Sequence, residues 1–187
     1  IIKMNAIIIA AGSGKRISDR VKNTPKSMVK VNGKPIIEYQ LSVLNKAGIN
    51  EVYVITGPYS EKFNIKNVEY VKDEEYENHD ILGSLMEAKK YFKKDTLVLY
   101  SDIIFESKIL EKIMNSKEDI SIAIDMNWEK NYEGRSEHPK LEAENVELNN
   151  KLDIIKIKKN IENINGNVGE FLGIIKFANK GSELFIK

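Results

Sequence analysis

The chain alternates between short apolar runs and segments in which apolar residues recur every three or four positions. The first pattern is typical of buried strands in a parallel sheet, and the second of amphipathic helices. Residues 4–9 form the clearest strand and residues 35–47 the clearest helix, with Pro35 in its first turn and Gly48 at its end. The other predicted strands are 51–56, 68–71, 96–100, 119–125, 142–148, 152–157 and 168–178, and the other predicted helices are 82–93, 107–116 and one that begins at Asn179.

This alternation predicts an α/β fold, a Rossmann-like three-layer sandwich with a mostly parallel central sheet. Residues 142–148 and 152–157 resemble a strand pair joined through Asn149 and Asn150, which indicates a small antiparallel extension. The segment 127–140 has no clear periodicity and contains clustered charges, so we interpret it as a functional loop. In sheets of this kind, ligands bind beyond the carboxyl ends of the strands.

Composition narrows the class of protein. With 187 residues, of which 42% are hydrophobic, the chain is long enough for one globular domain with a sizeable core. A net charge of +1 argues against nucleic acid as a partner, and the absence of cysteine excludes disulfides and thiolate chemistry. The apolar run at residues 6–11 is too short to span a bilayer and no secretory signal is recognisable, so we expect a cytoplasmic protein without a membrane partner.

The turn after the first strand is the most informative segment. Two glycines one residue apart are followed by Lys15 and Arg16; such a turn lets the backbone approach an anion, and the cations suit a polyphosphate. The dinucleotide fingerprint would need a third glycine at Ile17, and a nucleoside-triphosphatase loop would need glycine at Ile9. An ordinary glycine turn is the alternative. The residues predicted to bind the nucleotide here are Ala10, Ala11, Gly12, Ser13 and Gly14.

A second motif follows, with Pro25-Lys26 and then Gly-Lys-Pro-Ile-Ile at the start of the predicted helix. Together with the strand and Ala-Ala-Gly-x-Gly-x-Arg, this order resembles the N-terminal signature of the nucleotidyltransferases, which condense a nucleoside triphosphate with a phosphorylated small molecule. The resemblance implies that Arg16 and Lys26 are catalytic and stabilise charge on the triphosphate and in the transition state. Taken alone, Lys26 would be an ordinary surface lysine after a proline.

Asp102 follows the apolar strand 96–100, where a carboxylate can hold Mg²⁺ against phosphate oxygens. Capping of the next helix is the alternative. In the resembled family the aspartate that ends the central strand is a metal ligand, which implies a catalytic and metal-binding role for Asp102 and Mg²⁺ as cofactor. The family's second metal carboxylate lies in a later segment, so we expect residues 1–187 to form a single nucleotidyltransferase domain that lacks its C-terminal segment.

Residues 78–85 resemble the base-recognition loop of the same family. The resemblance implies that Ser84 binds a nucleobase edge, and a serine at a helix N-terminus is the alternative. His79 is interpreted as a loop side chain rather than a metal ligand, because no second ligand follows at a suitable spacing.

A series of motifs in the second half of the chain narrows the family. It consists of Asp125-Met126-Asn127-Trp128, Tyr132, Gly134-Arg135, His138-Pro139-Lys140, Glu142-Ala143-Glu144 and Gly169-Glu170-Phe171-Leu172-Gly173. This series resembles cytidylyltransferases that activate phosphonates, notably 2-aminoethylphosphonate cytidylyltransferase, and the phosphocholine cytidylyltransferases are close relatives of these. The resemblance implies CTP and a small phosphonate or phosphorylated amine as partners.

The charged residues of this series suit such an acceptor. Arginine can bind phosphonate oxygens in bidentate fashion, carboxylates can face an ammonium group, and the face of Trp128 can shelter a cation. Anchoring of the loop is the alternative for Trp128, and the ordinary exposed face of a strand is the alternative for Glu144. The residues predicted to bind the acceptor are Asp125, Trp128, Arg135, His138, Glu144 and Glu170.

The sequence therefore predicts an enzyme that transfers CMP from CTP to a small phosphonate, with Mg²⁺ as cofactor and release of pyrophosphate. Phosphocholine as the acceptor, a sugar-1-phosphate nucleotidyltransferase and a catalytically silent nucleotide-binding module are the alternatives. The sequence leaves open whether the protein forms a homodimer. It also leaves open a fusion to phosphoenolpyruvate phosphomutase, to which similar domains are fused.

Overall fold

A computed structural model describes residues 4–12, 23–135, 139–163 and 165–187. In chain order the elements are β1 (Met4–Ala10), β2 (Lys30–Val31), β3 (Lys34–Pro35), α1 (Ile36–Lys46), β4 (Val52–Thr56), β5 (Glu69–Lys72), α2 (Ile81–Met86), β6 (Asp95–Tyr100), α3 (Ser107–Met114), β7 (Ile120–Asp125), β8 (Glu144–Leu148), β9 (Ile154–Lys159), β10 (Val168–Phe177) and α4 (Asn179–Phe185). The chain divides into two compact units: unit 1 is residues 1–121 and 174–187, and unit 2 is residues 122–173.

The sheet of unit 1 is built on parallel strands. β1 lies between β4 and β6, β5 extends the sheet beyond β4, and all of these neighbours are parallel. The last residues of β10 pair with β6 in the antiparallel direction. Ile7, Ile8 and Val54 are fully buried, because helices and loops cover a parallel sheet on both faces, and this explains the continuous apolar runs.

Helix α1 is positioned by its start and by its buried face. The Asn32-Gly33 turn joins β2 to β3, and both residues have positive φ, as a tight hairpin of this kind requires. Pro35 then precedes the first helical residue with φ −56°. Ile37 and Leu44 are fully buried on one face of the helix, so the hydrophobic core fixes α1 in unit 1.

Unit 2 contains the antiparallel extension. β8 pairs with β9 on one side and with the first residues of β10 on the other, in both cases antiparallel. β9 begins two residues later than predicted because Asn149 forms a longer turn, in which its Oδ1 accepts from the backbone N–H groups of Lys151 (2.8 Å) and Asp153 (2.9 Å). The segment 127–140, expected as an irregular loop, contains a 3-10 helix, Trp128–Tyr132.

The predicted fold class is confirmed: the central strands β5, β4, β1 and β6 are parallel, and β8, β9 and β10 pair in the antiparallel direction. The predicted helix 82–93 is shorter in the structure, where α2 ends at Met86 and a 3-10 helix, Lys89–Tyr91, follows it. Within the described ranges, no helix is long and apolar enough to pass through a membrane.

Candidate functional site

The carboxyl ends of β1, β4, β5 and β6 meet at one edge of unit 1, because parallel pairing aligns them. Ala11 follows β1 and is buried, and Gly12 after it is exposed. Gly57 directly follows β4 and lies so close to Ala11 that a Cβ on Gly57 would be 2.3 Å from the carbonyl oxygen of Ala11. The start of the predicted polyphosphate turn is therefore packed directly against the end of β4.

Lys26 and Asp102 meet at this edge although 76 residues separate them, and Lys26 Nζ lies 3.2 Å from Asp102 Oδ2. Lys26 opens a 3-10 helix after Pro25, and Asp102 lies just beyond β6. The two side chains are 43% and 40% exposed. An ion pair this exposed contributes about 1 kcal/mol or less to stability, so both groups are accessible to a ligand at little cost to the fold.

A buried carboxylate that the sequence pattern did not indicate lies directly after β5. Asp73 is fully buried; its Oδ2 accepts from Ser84 Oγ at 2.7 Å, and its Oδ1 lies 3.0 Å from His79 Nδ1. The backbone N–H of Glu75 donates to the same Oδ1 at 3.0 Å. These bonds offset the cost of burying the charge. The Ser84 hydroxyl thus donates a hydrogen bond to Asp73, which favours a structural role for Ser84 in the first turn of α2 over the predicted contact with a nucleobase edge.

In unit 1, the group around Asp73 and the exposed Asp102 are candidate positions for a divalent cation. Asp73, His79 and Glu87 have ligand atoms within 4.8 Å of one another, but both oxygens of Asp73 already accept hydrogen bonds. Asp102 instead exposes its carboxylate at the edge where the strands end. Mg²⁺ is usually held by one or two carboxylates and completed by water and substrate phosphates, so Asp102 fits such an ion better.

In unit 2 the 3-10 helix Trp128–Tyr132 is anchored by its tryptophan. Trp128 is 1% exposed, and its Nε1 donates to the carbonyl oxygen of Val168 at 3.1 Å. The protein's own Lys140 lies above the ring, with Nζ 5.2 Å from the centroid. Since the ring is buried, the structure favours the anchoring role of Trp128 over the predicted shelter for an acceptor cation.

Tyr132 joins two of the predicted acceptor residues. Its hydroxyl donates to Glu170, and the Arg135 guanidinium lies over its ring, 4.8 Å from the centroid. Burial, and next the hydrogen bond to the Glu170 carboxylate, raise the pKa of Tyr132 to about 12. The ring therefore carries a cation on its face and an anion at its hydroxyl. In the sequence, the only sign that Tyr132 belongs to this group is its place in the motif series between Trp128 and Arg135.

The remaining predicted acceptor residues have local partners or simple strand positions. Asp125 Oδ1 accepts from the backbone N–H of Asn127 at 2.8 Å, and its Oδ2 accepts from Asn131 Nδ2 at 2.9 Å, so this carboxylate shapes the turn after β7. Glu144 is the half-buried first residue of β8, aligned with Lys159 of β9. The predicted site residues Ser13, Gly14, Arg16 and His138 lie outside the described residues.

The comparisons with known proteins agree on the type of enzyme. The profile of the MobA-like NTP transferase domain matches residues 6–139. A CTP:phosphoglutamine cytidylyltransferase of Campylobacter jejuni is 30% identical over 94% of this chain and 73% of its own length. A CMP-5'-(3-aminopropyl)phosphonate synthase of Streptomyces rubellomurinus is 25% identical over 65% of this chain, which covers 21% of that protein.

A solved structure confirms the fold. The CTP:phosphocholine cytidylyltransferase of Streptococcus pneumoniae superposes with a TM-score of 0.69 and 23% sequence identity, over 99% of this chain and 75% of that one. At this level of identity the likeness shows the fold alone. The nucleotidyltransferase fold expected from the N-terminal signature is thereby confirmed.

Proposed function

The chain belongs to the MobA-like NTP transferase family, and on that premise we propose that it is a cytidylyltransferase that transfers CMP from CTP to a small phosphonate, such as 2-aminoethylphosphonate. One observation carries the proposal: Lys26 and Asp102 pair at 3.2 Å beyond the end of β6. Transfer of a nucleotidyl group needs a cation and a metal-binding carboxylate close together, and the fold brings these two from distant parts of the chain.

In the proposed reaction an oxygen of the acceptor phosphonate attacks the α-phosphorus of CTP. A new P–O bond forms while the bond from the α-phosphorus to the oxygen that bridges to the β-phosphorus breaks, and pyrophosphate leaves with that electron pair. Such transfers are catalysed mainly by positioning and by neutralising charge. We assign this neutralisation to Lys26, together with Arg16, which stays a prediction from the motif.

Nucleotidyltransferases generally use a divalent metal ion, and we propose Mg²⁺ held by Asp102. The exposed carboxylate oxygens of this residue suit a hard cation, and its place at the strand ends is where the triphosphate is expected. When bound, the ion supplies charge neutralisation on the phosphate oxygens. Lys26 holds the Asp102 side chain toward the same edge.

We propose that the acceptor is recognised by Arg135 and Glu170. The guanidinium suits bidentate binding of a phosphonate, and the carboxylate suits an ammonium group. Both side chains contact Tyr132, which fixes their spacing. This set favours a primary amine over the quaternary amine of phosphocholine, because the ring that would shelter a quaternary cation, Trp128, is buried.

The test is pyrophosphate release from CTP and Mg²⁺ with 2-aminoethylphosphonate, phosphocholine and phosphoglutamine as separate acceptors. We expect the fastest release with 2-aminoethylphosphonate, and a loss of kcat of about 100-fold or more in Asp102→Asn. Asp119→Asn is the matched control, since Asp119 also makes an exposed ion pair, with Lys180 at 2.6 Å. Full turnover by Asp102→Asn would refute the metal assignment, and no release with any acceptor, from protein that binds CTP, would favour the silent module.

Phosphoglutamine is the second candidate acceptor, because the relative named for it is similar over 94% of this chain. The same pair of residues, Arg135 and Glu170, would serve a phosphoryl group and an amino group. Faster release with phosphoglutamine than with the phosphonate would keep the cytidylyltransferase and correct its acceptor.

A further inference from the structure

We propose that Gln40 of α1 is the positioning residue for Asp102: its side-chain amide holds the loop on which the metal-binding carboxylate lies. The inference rests on the proposed function, since it explains how the Lys26–Asp102 pair is kept in place. It concerns a residue that touches neither nucleotide nor acceptor in the proposed reaction and acts through the backbone of its neighbours.

Gln40 binds the loop on both sides of Asp102. The side chain is 1% exposed, and its Nε2 donates to the carbonyl oxygens of Tyr100 and Ile103, each at 2.8 Å. These two carbonyls flank Ser101 and Asp102 in the chain. The Gln40 amide therefore acts as a clamp: it binds the backbone on either side of Ser101 and Asp102, the two residues that follow β6.

The loop needs such a clamp because it has no regular structure of its own. Residues 101–106 connect the end of β6 to the start of α3, and they form a turn followed by irregular backbone. The amide of Gln40 is buried, and its two hydrogen bonds restrain the backbone on both sides of Asp102. The position of Asp102 thus depends on Gln40.

The same helix also supports the other half of the ion pair. α1 contacts the 3-10 helix that begins with Lys26, and the backbone N–H of Ile36 donates to the carbonyl oxygen of Val29 at 3.0 Å. Since α1 is anchored in the core by Ile37 and Leu44, one rigid element sets the positions of both Lys26 and Asp102. Precise placement of this kind is what transfer chemistry depends on.

The test compares Gln40→Met with Asn5→Leu. Both substitutions replace a buried amide by an apolar side chain of similar size, and Asn5 Nδ2 likewise donates to a backbone carbonyl, that of Tyr91, at 2.8 Å. Asn5 lies near the start of β1, away from the carboxyl end of the strand, and its amide is thus a matched control. Each variant is measured for melting temperature, for amide hydrogen exchange, and for kcat and KM over a range of Mg²⁺ concentrations.

We expect Gln40→Met to speed amide exchange at residues 101–104 by about tenfold or more, because the clamp on the loop is lost. We also expect it to raise the Mg²⁺ concentration for half-maximal activity and to lower kcat by about 10- to 100-fold, with KM for the acceptor unchanged. Asn5→Leu is expected to lower the melting temperature to a similar degree and to change none of these quantities. Gln40→Leu, which also removes both N–H donors of the amide, is expected to behave like Gln40→Met and replaces it should that variant not fold.

Wild-type exchange at residues 101–104 together with a wild-type Mg²⁺ dependence in the Gln40 variants would overturn the inference. Equal changes in Asn5→Leu would also overturn it, since general destabilisation would then explain them. Should the wild-type protein release no pyrophosphate with any acceptor, the proposed function fails, whereas the exchange comparison still decides whether Gln40 positions the loop.

Discussion

Gly57 follows β4 and lies against Ala11, so replacing Gly57 by alanine is expected to displace the turn after β1. The added Cβ would lie 2.3 Å from the carbonyl oxygen of Ala11, 3.0 Å from its carbonyl carbon and 3.1 Å from its Cα, whereas ordinary contact begins at 3.4 Å. The three atoms are backbone, so no side-chain rotation relieves the clash. Ala11 must therefore move by about 1 Å, and the predicted polyphosphate turn moves with it.

Both the size and the nature of the effect follow from that displacement. Forcing one extra methyl into a packed site costs about 1–3 kcal/mol, which for a protein of this size lowers the melting temperature by roughly 2–12 °C. A shift of about 1 Å in a group that positions a substrate can also cost about 100-fold in rate. We expect both losses in Gly57→Ala, and we expect the loss in kcat/KM for CTP to persist at temperatures where the variant is fully folded.

The assay pairs thermal unfolding with steady-state kinetics for CTP, and Gly12→Ala is the control for stability. Among the described residues, no atom would lie within 4 Å of a Cβ at Gly12, so that variant is expected to keep the wild-type melting temperature. A Gly57→Ala protein with wild-type stability and wild-type kcat/KM would show that the end of β4 does not support the turn.

Three further predictions concern single side chains. The pKa of Tyr132 is raised to about 12, so the stability that Tyr132 contributes is complete below about pH 10 and is lost as the pH rises toward 12. The difference in absorbance at 295 nm between the wild type and Tyr132→Phe should therefore stay constant up to pH 11. A phenolate signal near pH 10 would contradict this prediction. Trp128→Phe removes the hydrogen bond to the carbonyl of Val168 and is expected to lower the free energy of unfolding in urea by about 1–3 kcal/mol, whereas a loss under about 0.5 kcal/mol would show that the indole N–H does not anchor the loop. The hydrogen bond from Lys94 lowers the pKa of Glu51 below 4.5, so the stability that Glu51 contributes is complete above that pH and is lost on acidification. As the pH is lowered from 7 to 3, the melting temperature of Glu51→Gln should therefore fall less steeply than that of the wild type. Equal slopes would refute the effect.

The position of Asp102 could be anticipated because backbone geometry decides it, whereas the role of Lys26 was expected from the motif and its ion pair with Asp102 was not predicted. A residue that directly follows a strand lies at the carboxyl edge of a parallel sheet whatever its side chain, and a motif fixed in order around the first strand brings its own residues to the same edge. The two ends of helix α1 could also be predicted, because proline at the start of a helix and glycine after its end mark these ends through local backbone preferences.

The partners of individual side chains could not be anticipated in this way. Ser84 binds Asp73 because the end of β5 and the start of α2 pack together, and the sequence gives no sign of that contact across eleven positions. β9 begins later than predicted because the side chain of Asn149 closes a longer turn. In both cases a polar side chain bonds to a group whose position only the folded chain determines.

The same reasoning removes Trp128 from the proposed recognition of the acceptor and leaves that role to Arg135 and Glu170, which Tyr132 contacts. As the only tryptophan of the chain, Trp128 is the best cation shelter by residue type, yet its indole N–H binds the backbone of β10 and its ring is buried. Tyr132 contacts both charged residues proposed to bind the acceptor, and its hydroxyl bonds to Glu170. A carboxylate can accept hydrogen bonds from a primary ammonium group, and a quaternary ammonium has no N–H to give. If Glu170 takes the place of the tryptophan face, the enzyme should select 2-aminoethylphosphonate over phosphocholine, and Glu170→Gln should narrow that preference.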